Sequence, residues 1–382
     1  MKKALMVASV ASMIDQFNMG NIAILEQLGY RVEVAANFSQ GSNTSAQRVE
    51  KFQQELAAAG REYHQVDIPR SVFKVGSILQ ALGQLKALCR EGQYDLIHCH
   101  SPIGGVVARL AARKSRKTGT KVIYTAHGFH FFKGASLRNW LLFYPMERLC
   151  ARFTDLLITI NREDYHLAKW KMKAARVVYV PGIGVDTTAF AGEDGADLQK
   201  ELGLCGEDRM ILSVGELSRR KNHKVILQAM AQLKDPKLHY VICGIGPEEE
   251  NLRALAKSMG LESQLHLLGY RRDIPRLLAA ADLYAFPSLQ EGLPVALMEA
   301  MAAGKAVVAS RIRGNDDLLE GMPGGVLVDA HNVEGFAKAM SALLSDRERC
   351  HSMGESNRLR IREFDRNVVD AKMKTLYQEI SQ

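Results

Sequence analysis

At 382 residues the chain is longer than one hydrophobic core usually supports, so two domains are expected. Its 47% apolar and 24% charged content is that of a globular protein, and the lack of any run of about 18 apolar residues excludes a membrane-spanning helix. Six cysteines without a C-x-x-C pair point to neither a zinc site nor a disulfide framework, and the net charge of +8 is concentrated in the first half.

Lys2-Lys3 ahead of Ala4–Ile14 mimics a signal peptide. A first strand is the better reading, because Tyr30–Ala36 supplies a second strand after a helix. The pattern predicts strand one over Lys3–Val10, a loop through Ser12–Asn18, a helix to Leu28 ended by Gly29, and strand two over Arg31–Ala35. Residues 37–62 read as polar and helical, and Tyr63–Ile68 as a short strand. Ser77 is expected to N-cap a helix running to Glu91. Tyr94–His98 is the next strand, placing His98, Cys99, His100 and Ser101 where open α/β sheets hold ligands. A His-Cys-His run invites a metal, but neighbouring strand residues point to opposite faces, so none is expected and His100 stays as a cleft-lining candidate.

Residues 109–121 hold six Lys/Arg and no acid, and residues 133–173 hold eight basic against four acidic side chains. No nucleic-acid motif accompanies this charge, so an anionic membrane surface or a lipid diphosphate is the expected partner, and nucleic acid is not. Lys121–Ala126 is a strand delivering His127-Gly128-Phe129-His130, a cluster that alone reads as structural. Ser136–Asp155 is helical, with Pro145 expected to kink or divide it. Core packing is the ordinary reading of its aromatic stripe, and membrane-surface contact the alternative. Leu156–Ile160 is a strand, Asn161 opens a helix, and Val177–Val180 leads to Pro181-Gly182-Ile183-Gly184-Val185-Asp186 and the polar segment 191–209, a linker candidate.

The α/β pattern restarts with Met210–Val214, followed by Gly215-Glu216-Leu217-Ser218-Arg219-Arg220-Lys221-Asn222. Leu238–Cys243 leads to Gly244-Ile245-Gly246, which lacks the third glycine of a dinucleotide fingerprint. Gln264–Leu267 leads to Gly269-Tyr270-Arg271. Leu283–Phe286 is a buried strand, Ser288–Leu293 a tight loop, Pro294 opens a helix, Gly304 closes it, and Ala306–Ala309 is the next strand. Glu291 sits in that loop, and Glu299 lies five residues past Pro294, roughly 7.5 Å into the helix. Helical side chains lean toward the N-terminus, so both carboxylates can share one mouth with the unpaired first-turn amides. Hydroxyl acceptors beside a phosphate-ready helix end suit a sugar nucleotide. Gly325–Val328 is a last strand, followed by helices over Val333–Ser345, Asp346–Arg362 and Asn367–Ile380.

Glu291…Glu299 within Pro-Ser…Glu-Gly-Leu-Pro…Glu-Ala-Met-Ala…Gly resembles the E-x7-E signature of retaining glycosyltransferases of family 4. The resemblance implies a GT-B fold: two Rossmann-like doubly wound parallel-sheet domains facing across a cleft, an acceptor domain over 1–188, a nucleotide-sugar domain over 189–365, and a helix over 366–382 returning to the first. It implies that Glu291 holds sugar hydroxyls, Glu299 ribose hydroxyls, and that His127 sits near the donor sugar, with Glu291, His127 and Lys221 as the catalytic set. Gly292, Leu293, Gly215, Gly244, Tyr270 and Arg271 are then donor-binding. Glu216 and Asn222 replace the family's usual Arg and Gly, so Glu216 is expected to turn away and Arg219 or Arg220 to supply the missing charge beside Lys221. The first loop lacks the family's Gly-Gly pair, and Asp15, Phe17 and Asn18 stand there, with His100, His130 and the neighbouring phenylalanines on the acceptor side.

No Asp-x-Asp occurs, so no metal cofactor is expected. The implied partners are a nucleotide-sugar donor, most readily a UDP-sugar, and a saccharide or undecaprenyl-diphosphate-linked acceptor of surface polysaccharide synthesis. The expected setting is cytoplasmic, peripheral to the membrane. A sugar-nucleotide 2-epimerase on the same fold and a non-catalytic carbohydrate- or lipid-binding paralogue are the alternatives.

Overall fold

A computed structural model describes residues 1–42, 44–190 and 195–382, so part of the expected linker, residues 191–194, lies outside the described chain. The protein divides into two compact units, one formed by Met1–Ile183 with Asn367–Gln382 and the other by Gly184–Arg366.

The first unit carries a seven-stranded sheet in the order β3-β2-β1-β4-β5-β6-β7. Its strands are β1 (Lys2–Val10), β2 (Tyr30–Asn37), β3 (Tyr63–Gln65), β4 (Leu96–His100), β5 (Lys121–Ala126), β6 (Leu156–Thr159) and β7 (Arg176–Tyr179). The second carries six strands in the order β10-β9-β8-β11-β12-β13: β8 (Arg209–Val214), β9 (Leu238–Cys243), β10 (Leu265–Leu267), β11 (Leu283–Phe286), β12 (Val307–Ser310) and β13 (Gly325–Val328). Every pairing is parallel, which demands helical crossovers and buries both faces of each sheet. The central strands are accordingly continuous apolar runs, with Ala4, Leu5, Met6 and Val7 of β1 at most 1% exposed. In both sheets the strand order reverses beside the first strand of the unit, between β1 and β4 and between β8 and β11. Ligands of open α/β sheets gather outside the strand ends at such points.

The helix Arg366–Ile380 belongs to the first unit, where Val369, Met373, Leu376 and Tyr377 join the core formed by β1, β2 and the helices beside them. Tyr377 hydroxyl is 2.7 Å from His98 Nδ1, and Thr125 Oγ1 is 2.8 Å from His98 Nε2, so this fully buried imidazole ties the helix to β4 and β5.

Three local expectations are corrected. Residues 12–18 are not a loop: Ala11–Phe17 is helical because Ala11, Ser12 and Ile14 turn one face into the core. Ser77 is not an N-cap, since the helix Val75–Gly92 begins earlier, at Lys74. Pro145 does not divide its helix, which runs unbroken over Leu137–Ala151 from a Ser136 cap that accepts from the Asn139 amide. Proline there simply lacks the amide that would have bonded one turn back.

Candidate active site

The second unit gathers charge at the ends of β8 and β11. β8 runs into a single 3-10 turn, Arg219–Lys221, ended by Asn222 in the left-handed region at φ 57°. Asparagine tolerates that conformation almost as glycine does, which accounts for its place there. Its side-chain amide donates to the Pro287 carbonyl at 3.1 Å and the Ala330 carbonyl at 2.9 Å, and the Leu289 amide donates to the Arg220 carbonyl at 2.8 Å. These bonds pin the basic turn to the loop carrying Glu291.

Lys221 Nζ lies 2.9 Å and Arg220 Nη1 2.7 Å from the same Glu291 oxygen, and Lys221 also sits 4.7 Å from the Phe286 ring centre. Burial pulls the Lys221 ammonium below its ordinary pKa, and the Glu291 carboxylate partly offsets this. Gly215 gives the lysine stem room: a Cβ there would stand 3.0 Å from Lys221 Cε, at φ +153°. Gly244 is required for a different reason, because a Cβ there would run into the Gly215 carbonyl. Arg313, which the sequence reading missed, is buried and donates to the Glu291 carbonyl at 3.2 Å. Gly314 beside it packs on the Gly292 carbonyl, where a Cβ would collide.

The helix Val295–Ala302 starts at Pro294, whose ring offers no capping acceptor, so its first amides remain open to an anion. Leu293 is buried beneath them. Glu299 is half-buried and makes no hydrogen bond or ion pair among the described residues. Burial alone pushes its carboxyl up to about 7. Ser218 Oγ and Ser288 Oγ are buried without a side-chain hydrogen-bond partner among the described residues. Buried polar atoms normally find a partner in the protein, in ordered water or in a ligand.

Other candidates of this unit are not brought into the group. Arg219 is 89% exposed and reaches Glu248 at 3.3 Å, so Arg220 alone supplements Lys221. Arg271 is occupied by Asp273, at 2.6 and 2.8 Å, and by Glu201, and Tyr270 stands exposed. Glu216 is exposed and still near enough to Lys221 to favour its charged form, so it does not turn away as expected.

In the first unit, His127 follows the end of β5, and its Nε2 lies 3.1 Å from His100 Nδ1; His100 Nε2 lies 3.2 Å from Met6 Sδ. A thioether only accepts, so His100 carries its proton on Nε2 and accepts at Nδ1 from His127 Nε2–H. That leaves the His127 Nδ1 lone pair for a hydroxyl. Burial keeps both rings neutral, pulling His100 well below the usual range and His127 to about 4. His100 is therefore fully buried behind His127 and does not line a surface. The loop is fixed by the Phe129 amide donating to Asp164 Oδ2 at 2.9 Å.

The remaining acceptor-side expectations change. Asp15 is held by Arg48, with Nε–Oδ2 at 2.8 Å, and Asn18 is buried, bonding Met13 and Asn21 as the turn between two helices. Phe17 is half-buried beside them. Phe129 and Phe131 are core residues, at 3% and 0% exposure, so they form no lip, and the His130 ring lies tilted against Phe143 with centres 4.6 Å apart. Among the described residues, Glu33, Glu62 and His64 are close enough to hold a metal, but Tyr94 and His64 already bond Glu33 and Arg31 pairs with Glu62.

Two family models match: the group 1 glycosyl transferases over residues 195–360 and a glycosyl transferase 4-like domain over residues 17–182. EpsD of Bacillus subtilis (strain 168), a candidate glycosyltransferase, is 35% identical over 98% of this chain and 96% of its own. An Escherichia coli UDP-Gal:alpha-D-GlcNAc-diphosphoundecaprenol alpha-1,3-galactosyltransferase is 30% identical over 70% of this chain and 71% of that protein. Among solved structures, Anabaena Alr3699/HepE in complex with UDP and glucose superposes with a TM-score of 0.79 at 20% identity, over 99% of this chain and all of that one, a likeness of fold.

Proposed function

Because the chain belongs to the family-4 glycosyltransferases, we propose that it moves a sugar from a UDP-sugar, with retention, to a saccharide or undecaprenyl-diphosphate-linked acceptor in surface polysaccharide synthesis. The observation that carries this reading is the half-buried Glu299 carboxyl, without a hydrogen bond or ion pair among the described residues, on the helix that follows the loop of the Lys221–Glu291–Arg220 cluster. Glu299 would accept from ribose hydroxyls and Glu291 from the sugar. As the bond from the anomeric carbon to the diphosphate breaks, its electron pair goes to the phosphate oxygen. Lys221, Arg220 and the open amides after Pro294 would meet that charge, a preorganised electrostatic stabilisation. The acceptor hydroxyl oxygen forms the new bond on the face the diphosphate leaves and passes its proton to the departing phosphate oxygen. In the first unit, His127 Nδ1 would receive a sugar hydroxyl. The UDP-Gal-dependent relative with its diphosphoundecaprenol acceptor, and the UDP and glucose bound by HepE, support the choice of donor and acceptor class.

A melting-temperature screen against UDP-, GDP-, ADP- and dTDP-sugars tests the donor, followed by UDP release with and without an undecaprenyl-diphosphate saccharide in EDTA. A UDP-sugar shift and acceptor-dependent release that persists in EDTA are expected. No shift with any nucleotide, or loss of release on chelation, would overturn the donor site as described. Release without acceptor, with inversion at C2 of the sugar, would indicate epimerase chemistry instead.

A further inference from the structure

The helix Leu137–Ala151 is amphipathic in an inverted sense. Its inner face packs Trp140, Phe143, Tyr144, Cys150 and Ala151 on the sheet, together with the buried carboxylate Glu147. Glu147 is paired with Arg109 at 2.7 Å, Arg109 lies 3.8 Å from the Tyr124 ring centre, and the pair clamps the helix in place. The outer face should then be polar. Instead it shows Leu137 at 72% exposure, Leu141 at 69%, Leu149 at 46% and Met146 at 43%, with Leu142 and Pro145 also exposed. Arg138, Arg148 and Arg152 are interspersed, and no carboxylate stands on that face. The patch continues across the fold: Arg138 lies 5.3 Å over the Phe73 ring, and Phe73, Val75 and Leu79 are each at least 60% exposed.

We propose that this face docks on an anionic lipid bilayer, its aliphatic side chains entering the interface and its arginines meeting lipid phosphates. The proposal names the membrane partner of a lipid-linked acceptor and so deepens the function read above. Three features select this occupant. The arginines lie among the aliphatic residues, where their stems can run along the apolar surface while their heads reach phosphates. Leucine, which dominates the outward apolar set, is under-represented among protein–protein hot spots, while Trp140, Phe143 and Tyr144 are turned inward. A second copy meeting this face in a two-fold dimer would set arginine against arginine without a carboxylate to pair them. The helix is not long or apolar enough to span, so the contact is interfacial.

Vesicle flotation of the full chain tests it without nucleotide or acceptor, so a failure of the donor chemistry leaves the result independent. Wild type should float with phosphatidylglycerol-containing vesicles, and far less with pure phosphatidylcholine. Replacing Arg138, Arg148 and Arg152 together by Gln should weaken binding by on the order of a hundredfold and remove its salt dependence. Leu141→Ser with Leu149→Ser should abolish flotation at high salt. Each variant must keep the wild-type melting temperature to count. Absence of flotation with anionic vesicles at low salt overturns the proposal, as does undiminished binding by the serine variant. A concentration-dependent dimer dissolved by Leu141→Ser would overturn it in favour of a second copy.

Discussion

Glu299→Gln separates the two demands placed on one carboxyl. Burial raises the Glu299 pKa from the ordinary 4.5 to about 7. Between those values the folded protein holds a proton that the unfolded chain has released, so stability falls as pH rises through this window. Above pH 7 the cost reaches at most about 3 kcal/mol, an upper bound because the side chain is only half-buried and retains some water. The amide keeps the shape without the charge. At pH 8 it should raise the melting temperature of the second unit by up to roughly 6–12 °C, while at pH 4.5 the two proteins should melt together. A UDP-sugar at a hundred times its dissociation constant stabilises by about 2.7 kcal/mol, and this shift should be lost in the variant. Thermal melts from pH 4.5 to 8.5, with and without ligand, measure both quantities. A difference in melting temperature that does not change with pH would mean that Glu299 is solvated, and the argument from its missing partner would fall.

Lys221→Ala removes the buried cation and leaves Glu291 with Arg220 alone; initial rates should drop by about 10²–10³, with a smaller change in melting temperature. His100→Phe takes away the acceptor that holds His127 Nε2–H. Turnover should fall while the UDP-sugar shift persists, and His100→Asn, which offers a carbonyl oxygen, should restore part of it. Arg109→Ala strands the Glu147 carboxylate beneath the outer helix and should cost about 3–5 kcal/mol in urea unfolding of the first unit.

The fold was legible because parallel strands read as short apolar runs: the buried Lys121–Ala126 and even the part-buried edge strand Gly325–Val328 match their predicted bounds. Asn161 declared its cap chemically, and its side chain accepts from the Asp164 amide. The helix over Ala11–Phe17 was hidden because one short turn shows no period, and the interactions that favour it are tertiary. At the site, Lys221 and Glu291 could be read together from their motifs, whereas Arg313 reaches in from after β12 with no local signal. Phe129 and Phe131 misled because aromatic residues beside a histidine look alike whether they face a ligand or a core. The outer face of Leu137–Ala151 was obscured for the same reason: hydropathy counts its apolar residues without saying which side they occupy.

The helix that completes the first unit is synthesised only after the whole of the second. While the ribosome makes the second unit, roughly 10–40 seconds of translation, Ile14, Val32 and His98 wait without the Tyr377 side that will cover them. The nascent first unit is therefore a natural client for chaperones. A chain terminated before Asn367 would leave that apolar seam open to proteases.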